Sequence, residues 1–414
     1  MSNNGGGPAG PGRRAVLGSG LAGLAGAVTA AGLAGWSASS AGAQEATPAT
    51  EALPGADTIA REFRGEHQAG IVERAQAYGV FLGLDLKPGA DADAIRRLFT
   101  VWTDDIERLM AGRGTLADLE PELAAVPASL TVTLGVGPRL VAVAGAEAPT
   151  WLKPLPTFSI DKLDPKWAGG DLFLQICADS PTTVAHAQRR MLTNAAPLID
   201  LKWVQRGFRE PFESSELPMR NLFGQVDGIV QPDVQGAEAS LLWAGAEAPT
   251  WLRGGSSVVV RRMPMDLDSW DRSDPVARDN SIGRRTSDGS VLTSPAGSPI
   301  DAPADLSAVD SLGFHVIDDA AHLRRVTATE PHEKILRRPY TYDEAPANGA
   351  LSDVGLIFVA YQADPVRQFV PLQQRMADSD LLNIWVTPVG SAVYAILPGA
   401  KPGEILGEAM LAKA

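Results

Sequence analysis

The chain has 414 residues, of which 45% are hydrophobic, and its 36 basic and 49 acidic residues give a formal net charge of −13. This composition is typical of a globular protein with one large or two smaller domains, and the acidic balance argues against binding to DNA, RNA or an anionic membrane. The single cysteine, Cys177, excludes an internal disulfide and any cysteine-based zinc or iron–sulfur site.

The first 43 residues have the three parts of an export signal. Arg13 and Arg14 precede an apolar, Gly/Ala-rich stretch that extends to Trp36, and residues 41–43 form a small-residue cleavage site. The paired arginines are typical of a twin-arginine signal. The alternative is a membrane anchor, for which the stretch is poorly apolar. We therefore predict a signal peptide over 1–43 and export through the twin-arginine pathway to the cell envelope, the periplasm or the medium.

Apolar patterning of the next part of the chain predicts a β-α-β-β-α order followed by a further strand. The predicted strands cover 79–86, 129–136 and 170–178, and the predicted helices cover 91–110 and 181–195, with Asp91 as the N-cap of the first helix. This order is the ferredoxin-like pattern. We predict a ferredoxin-like half over 44–225.

The last part of the chain repeats that order more loosely. Strands are predicted over 256–263, 354–362 and 390–396, a helix over 366–376, and a long polar loop over 277–313. We therefore predict an α+β protein of two ferredoxin-like halves with antiparallel sheets and peripheral helices, the second half covering 226–414. The peptide AGAEAPTWL occurs at 144–152 and again at 244–252, but its flanks differ, so it does not establish aligned halves.

Two segments carry residues suited to chemistry. HExxH, GxSxG and GxxxxGK[ST] are all absent from the sequence, which removes the usual signatures of zinc proteases, serine hydrolases and P-loop enzymes. In 220–228, Asp227 stands among glycines, although the local pattern alone also fits a simple turn. His322 lies in an Ala-rich segment and Arg337 follows it; taken alone, that histidine also fits a structural role.

In combination and in order, these segments resemble the dye-decolourising (DyP-type) peroxidase family. The three central motifs are Gly224-x-x-Asp227-Gly228, Ala321-His322-Leu323-Arg324 and Leu336-Arg337-Arg338. Further similar stretches are Gly65-Glu66-His67-Gln68, Gly169-Gly170-Asp171, Trp251-Leu252-Arg253-Gly254-Gly255, Gln362-Ala363-Asp364-Pro365 and Gln373-Gln374-Arg375. The sequence departs from the family pattern at Ile229, Pro339 and Pro388, which affects fine geometry and access rather than the three central residues.

The resemblance implies one haem b per chain, held in the second half with His322 as the axial ligand of the iron. His315 is the rival ligand, and Asp380 is a candidate acceptor for the second nitrogen of the His322 ring. Asp227 and Arg337 are expected on the opposite side of the haem. The carboxylate would move a proton of the bound peroxide, and the guanidinium would stabilise developing negative charge.

The resemblance also implies the reaction: reduction of hydrogen peroxide and oxidation of dyes, phenolics or other one-electron donors. An aspartate has an ordinary pKa of about 3.9, against about 6.5 for histidine, and so remains a base in acid. We therefore expect an optimum at about pH 4–5. The sequence leaves a homo-oligomer open.

Large dyes are not expected to enter a buried haem pocket, so electrons would arrive through surface aromatic residues. The candidates are Trp385, Tyr394, Tyr340 and Tyr361, and the alternative for each is core packing.

Two other functions remain open from the sequence. One is deferrochelation, the removal of iron from haem with the porphyrin left intact. The other is a non-enzymatic haem carrier, against which Asp227 and Arg337 argue because a carrier needs no acid–base group above the iron.

Overall fold

The computed structural model describes residues 59–210, 219–346 and 349–412. The predicted signal peptide and its cleavage site lie outside these residues. Within the described ranges, none of the helices has both the length and the apolar character of a membrane span.

The N-terminal elements follow the predicted order closely. They are β1 (Tyr78–Leu86), α1 (Ala92–Met110), β2 (Thr131–Val136), α2 (Pro138–Val143), β3 (Leu172–Ala178), α3 (Pro181–Ala195) and β4 (Ile199–Phe208). Helix α1 begins where predicted, since the Asp91 side chain accepts a hydrogen bond from the Ala94 N–H at 2.8 Å. Its apolar face, which includes Ile95, Trp102 and Ile106, is buried.

The C-terminal elements are more broken than predicted. They are β5 (Ser256–Pro264), α4 (Leu267–Asp271), α5 (Pro275–Ile282), α6 (His322–Val326), β6 (Leu336–Arg337), β7 (Tyr340–Glu344), β8 (Asp353–Gln362), α7 (Phe369–Ser379), β9 (Gly390–Ile396) and α8 (Glu408–Leu411).

Two boundaries were wrong for identifiable reasons. The predicted loop 277–313 starts inside α5, whose N-cap Asp274 accepts from the Val276 N–H at 2.8 Å. The helix predicted from 366 starts instead at Phe369, because the Val370 N–H donates to the Pro365 carbonyl five residues back, which leaves residues 365–368 in turns before the regular helix.

The described strands form one antiparallel sheet in the order β5-β9-β2-β3-β1-β4-β7-β8-β6, with a further pairing between β5 and β8. The N-terminal and C-terminal strands meet at two places, where Gly135 pairs with Ile396 and Phe208 pairs with Thr341. The structure is therefore α+β, as predicted, with helices packed against an antiparallel sheet.

The site described below lies on one face of the C-terminal strands. In the register of β5 and β8, Met263 pairs with Leu356, and in that of β6 and β8, Arg337 pairs with Ala360. Directly paired residues share a face, as do residues two apart, so the Arg337 side chain lies on the same face as Leu356 and Phe358. Helix α7 covers this face, with the ring of Phe369 5.8 Å from that of Phe358.

The repeated nonapeptide has a structural role. Trp151 and Trp251, one from each copy, are both buried in the same hydrophobic cluster. The Trp251 Nε1 donates a hydrogen bond to the Glu147 carbonyl in the other copy at 2.8 Å. The two copies therefore contact each other in the fold.

Candidate active site

Asp227 is carried by a tight turn and meets Arg337. The chain turns at Gly224, whose N–H donates to the Asn221 carbonyl, and both Gly224 and Gly228 have φ values near 78°, the left-handed region that favours glycine. The Arg337 Nη1 lies 3.1 Å from Asp227 Oδ1, which also accepts from the Gly228 N–H at 2.6 Å. The segment is thus a turn, and it also brings an acid to a cation more than a hundred residues away.

The position of Arg337 is fixed through its backbone by a residue that sequence reasoning missed. The Gln231 side-chain amide donates to the Arg337 carbonyl and accepts from the Arg337 N–H, both at 2.9 Å. Arg337 Nη2 also donates to the Val230 carbonyl at 3.1 Å. A lone glutamine in a loop carries no sequence signal for this contact, since only the tertiary fold makes it adjacent to β6.

His322 is the first residue of α6, and its ring is held by Asp380. Its Nδ1 lies 2.6 Å from Asp380 Oδ2, so the pairing considered from the sequence is present. The Asp380 side chain is almost fully buried, whereas 31% of the His322 side chain is exposed. Nε2 has no hydrogen-bonding partner among the described residues, which leaves it able to bind a ligand. The rival His315 instead pairs with Asp319 at 2.8 Å in an exposed loop.

The segment at Gly283 and Arg284 connects the two parts of the site. Gly283 has a φ of 86°, and a Cβ there would lie 3.1 Å from the Cβ of Leu323, beside His322, so a side chain would push against α6. Burial lowers the pKa of Arg284, and the charge of Arg337 lowers it further. One short segment therefore packs against the helix of His322 and lies within electrostatic range of Arg337.

The sequence of each half carries a family signature. The profile described as Dyp-type peroxidase, N-terminal matches residues 68–209, and the profile described as Dyp-type peroxidase, C-terminal matches residues 218–401. The chain belongs to the DyP-type peroxidase family. It is therefore an oxidoreductase that reduces hydrogen peroxide and oxidises an electron donor, as DyP-type peroxidases do with the help of haem.

Individual relatives are similar to this chain over most of its length. The dye-decolorizing peroxidase of Thermobifida fusca is 34% identical over 362 residues, which is 83% of each chain. A deferrochelatase of Escherichia coli is 31% identical over 383 residues, 86% of this chain and 89% of that protein. The crystal structure of a DyP-type peroxidase from Cellulomonas bogoriensis is 48% identical with a TM-score of 0.84, covering 87% of this chain and 99% of that one. Ferric DtpA from Streptomyces lividans is 35% identical with a TM-score of 0.82, covering 86% and 98%.

The donor set of this DyP-type peroxidase fits a haem better than a bare metal ion. Among the described residues there is no group of three or more His, Cys, Asp or Glu side chains that could hold a metal. A single imidazole suffices only when a macrocycle supplies the other nitrogens, as a porphyrin does. The partly exposed apolar side chains of Met263, Leu356 and Phe358, on the face that carries Arg337, suit a planar apolar group.

The four aromatic residues considered as entry points for electrons are packed in the interior. Tyr340, Tyr361 and Tyr394 are fully buried, and the exposed fraction of Trp385 is only 8%. The three tyrosines belong to one hydrophobic cluster of buried residues. Burial raises the pKa of each of these hydroxyls. Core packing, the alternative that the sequence offered for each of them, therefore holds for the three tyrosines.

Trp385 stands apart from the tyrosines. Its ring lies edge-on to Trp270 at 4.9 Å, and Trp270 lies 4.5 Å from the ring of Phe223. Phe223 belongs to the turn that carries Asp227. A series of aromatic contacts therefore extends from that turn through Trp270 to Trp385.

Proposed function

We propose that this DyP-type peroxidase holds one haem b per chain, with His322 Nε2 as the axial ligand of the iron and Asp227 and Arg337 as its catalytic pair. The observation that carries the proposal is the 3.1 Å contact between Asp227 and Arg337, in a chain whose His322 has one ring nitrogen fixed and the other free. A bound haem would supply the iron that binds hydrogen peroxide, and the haem would give up the two electrons that reduce the peroxide.

The Asp227 carboxylate has its two oxygens in different environments. Oδ1 accepts from Arg337 and from the Gly228 N–H, which orients the group and leaves Oδ2 to take a proton from one peroxide oxygen and return it to the other. The guanidinium of Arg337 stabilises the negative charge that develops as the O–O bond lengthens. Its two bonds with Gln231 hold its backbone in place during this step.

Asp380 supports the reaction from the other side. Its carboxylate accepts from the Nδ1–H of His322, which fixes the tautomer that leaves Nε2 free for the iron and strengthens electron donation by the imidazole.

The same proposal includes the cellular location of the protein, its division into two halves and its oligomeric state. We propose export through the twin-arginine pathway, with cleavage of the signal peptide after Ala43. We also propose two ferredoxin-like halves divided near residue 225 and leave a homo-oligomer open. Export of an already folded chain agrees with the single buried thiol, Cys177.

Deferrochelation is the second candidate activity, favoured by the similarity to a deferrochelatase of Escherichia coli. Incubation of the protein with haem would release metal-free porphyrin, which is detected by its fluorescence. Peroxide-dependent dye oxidation without such fluorescence would exclude this second activity.

The proposed site is tested by absorption spectra of the purified holoenzyme and three substitutions. His322→Ala should lose the axial imidazole and change the Soret band, with His315→Ala as the matched control that leaves it unchanged. Asp227→Asn and Arg337→Leu should retain haem yet each lose about a hundredfold or more in kcat/KM for hydrogen peroxide. Wild-type turnover in both variants would reject the catalytic pair.

A further inference from the structure

We propose that Arg375 is a positioning residue that sets the distance between the two sides of the active site. It does so by holding the segment 327–335, which connects α6, the helix of His322, to β6, the strand of Arg337. Arg375 has this role only if His322 and Arg337 act as proposed above. It lies on α7 and is expected to touch neither haem nor peroxide.

The contacts of Arg375 extend along the connecting segment. Its guanidinium donates to the Arg325 carbonyl at 3.3 Å, to the Thr327 carbonyl at 3.2 Å and to Thr329 Oγ1 at 3.4 Å. It also lies 3.0 Å from Glu333 Oε2. One side chain therefore holds the last turn of α6 and three successive points of the segment that follows.

Glu333 completes the connection from the segment side. Only 7% of its side chain is exposed, and the same oxygen accepts from the N–H and the hydroxyl of Thr329, both at 3.0 Å. Burial opposes ionisation, but the hydrogen bonds from Arg375 and Thr329 outweigh it and lower the pKa of Glu333 to about 2. The ion pair is therefore intact at any pH at which a peroxidase of this kind works.

Both ends of α7 hold the same region. Asp380, directly after its last residue, holds the His322 ring at 2.6 Å. Gln368, directly before its first residue, donates to the Lys334 carbonyl at 2.7 Å, three residues before Arg337. Between these two points Arg375 holds the connecting segment. A helix with its backbone hydrogen bonds intact does not stretch, so α7 fixes the spacing of the groups that it holds.

The chemistry requires an arginine. Four acceptors at different places are bound by one planar fork of five N–H donors, which an ammonium at the end of a flexible chain cannot match. Arg375→Lys keeps the charge and the ion pair with Glu333 within reach, and it loses the bonds to the backbone. Comparison of this variant with wild type therefore separates the effect of positioning from the effect of the positive charge.

The test uses purified, haem-loaded wild type, Arg375→Lys, Glu333→Gln and a matched control, Arg96→Lys. Arg96 also joins a carboxylate, Glu408 at 3.4 Å, and a backbone carbonyl, that of Leu411, but it does so far from the site. The measurements are the ferric absorption spectrum, the Kd for cyanide, kcat and KM for hydrogen peroxide, and the thermal unfolding midpoint. Cyanide reports on the side of Arg337, and the spectrum reports on His322.

Arg375→Lys should weaken cyanide binding and lower kcat/KM for hydrogen peroxide by about tenfold each, because a displacement of about 1 Å can reduce a rate up to a hundredfold. It should also shift the ferric spectrum, with Glu333→Gln showing a smaller change in the same direction and Arg96→Lys none. A lower unfolding midpoint with unchanged spectrum, cyanide Kd and turnover would overturn the positioning role. If Arg375→Lys fails to fold, the milder Glu333→Gln decides by the same criteria.

A parallel variant keeps the two proposals distinct. If Arg337→Leu leaves peroxide turnover unchanged, the catalytic pair is wrong and the role of Arg375 falls with it. If Arg337→Leu loses turnover but Arg375→Lys matches wild type in all site measurements, only the positioning role is rejected.

Discussion

The carboxylate of Asp380 holds the ring of His322, since its Oδ2 lies 2.6 Å from Nδ1 and its side chain is almost fully buried. The sequence offered Asp380 as one possible acceptor for His322, and this contact is present. Gln231 and Glu333 could not be named, because each acts through contacts between segments whose proximity no local pattern encodes. Arg375 lies in the family-like motif Gln373-Gln374-Arg375, but the motif does not indicate what its side chain holds. The residues of the motifs were therefore predictable, whereas the contacts that position them were not.

Asp380→Asn should raise the reduction potential of the haem iron and lower peroxide turnover by about tenfold. The amide still accepts a hydrogen bond from the His322 ring. Because it carries no negative charge, it no longer strengthens the imidazole as a ligand of the iron. Spectroelectrochemical titration and steady-state kinetics measure the two effects. An unchanged potential would show that the carboxylate only orients the ring.

Trp385→Phe should reduce turnover of a bulky dye severalfold and leave turnover of a small phenol nearly unchanged. Trp385 is the least buried of the four candidate rings and contacts Trp270 edge-on, so it is the best placed of them to receive an electron from a donor too large for a buried haem site. Tyr394→Phe is the control, since that ring is fully buried. Equal losses in the two variants would argue for packing rather than electron transfer.

The longer elements were predicted well and the short ones were not. Helices α1 and α3 and strand β9 have the predicted extents within about one residue, because their lengths allow several periods of the apolar pattern. Helix α6 has five residues and strand β6 has two, too few for any periodicity. These two elements nevertheless carry His322 and Arg337, so the pattern was least informative where the chemistry lies.

Helix α3 and the loop before β2 are joined by a buried charged cluster. His186 Nε2 lies 2.8 Å and Arg190 Nη1 lies 3.7 Å from the carboxylate of Asp118, whose side chain is fully buried. Burial opposes ionisation of Asp118, but hydrogen bonds from His186 and the Glu120 N–H, with the nearby charges, lower its pKa. Its contribution to stability is therefore present above the ordinary carboxyl pKa and is lost as the pH falls below it.

Asp118→Asn should destabilise the protein at pH 7 by about 2 kcal/mol, because it leaves Arg190 buried without its charged partner. The variant should also lose less stability than wild type on acidification, since its side chain no longer takes up a proton. Chemical denaturation at pH 7 and at about pH 3, below the ordinary carboxyl pKa of 3.8, tests both effects. Asp104→Asn, which breaks a half-exposed pair with Arg108, is the control and should cost less than about 0.5 kcal/mol.

At the scale of the whole molecule, the sequence predicted the α+β fold class but not which N-terminal and C-terminal strands pair with each other. An α+β architecture with antiparallel strands follows from the alternation of strand and helix patterns. The pairing of β2 with β9 and of β4 with β7 joins strands far apart in sequence. Such pairings depend on which edges remain free after each part folds, and sequence patterns do not contain that information.

The activity profile of the whole enzyme should peak at about pH 4–5, because an aspartate remains a base where a histidine would be protonated. Glu333, whose pKa is lowered to about 2, keeps its ion pair across this range, so the fold around the site should not limit the profile. Steady-state rates between pH 3 and pH 8 measure it, with circular dichroism at each pH as the control. A maximum above neutrality would contradict the prediction.

The hydroxyl groups of Tyr340, Tyr361 and Tyr394 are buried, and their hydrogen bonds affect how the enzyme resists oxidation by hydrogen peroxide. Their hydroxyls donate to the Gln76 carbonyl at 2.9 Å, the Gln175 side-chain oxygen at 2.8 Å and the Gly169 carbonyl at 2.7 Å. Amide oxygens are far too weak as bases to take up a phenolic proton, and a tyrosine that cannot release its proton gives up an electron only with difficulty. These buried tyrosines are therefore expected to resist oxidation.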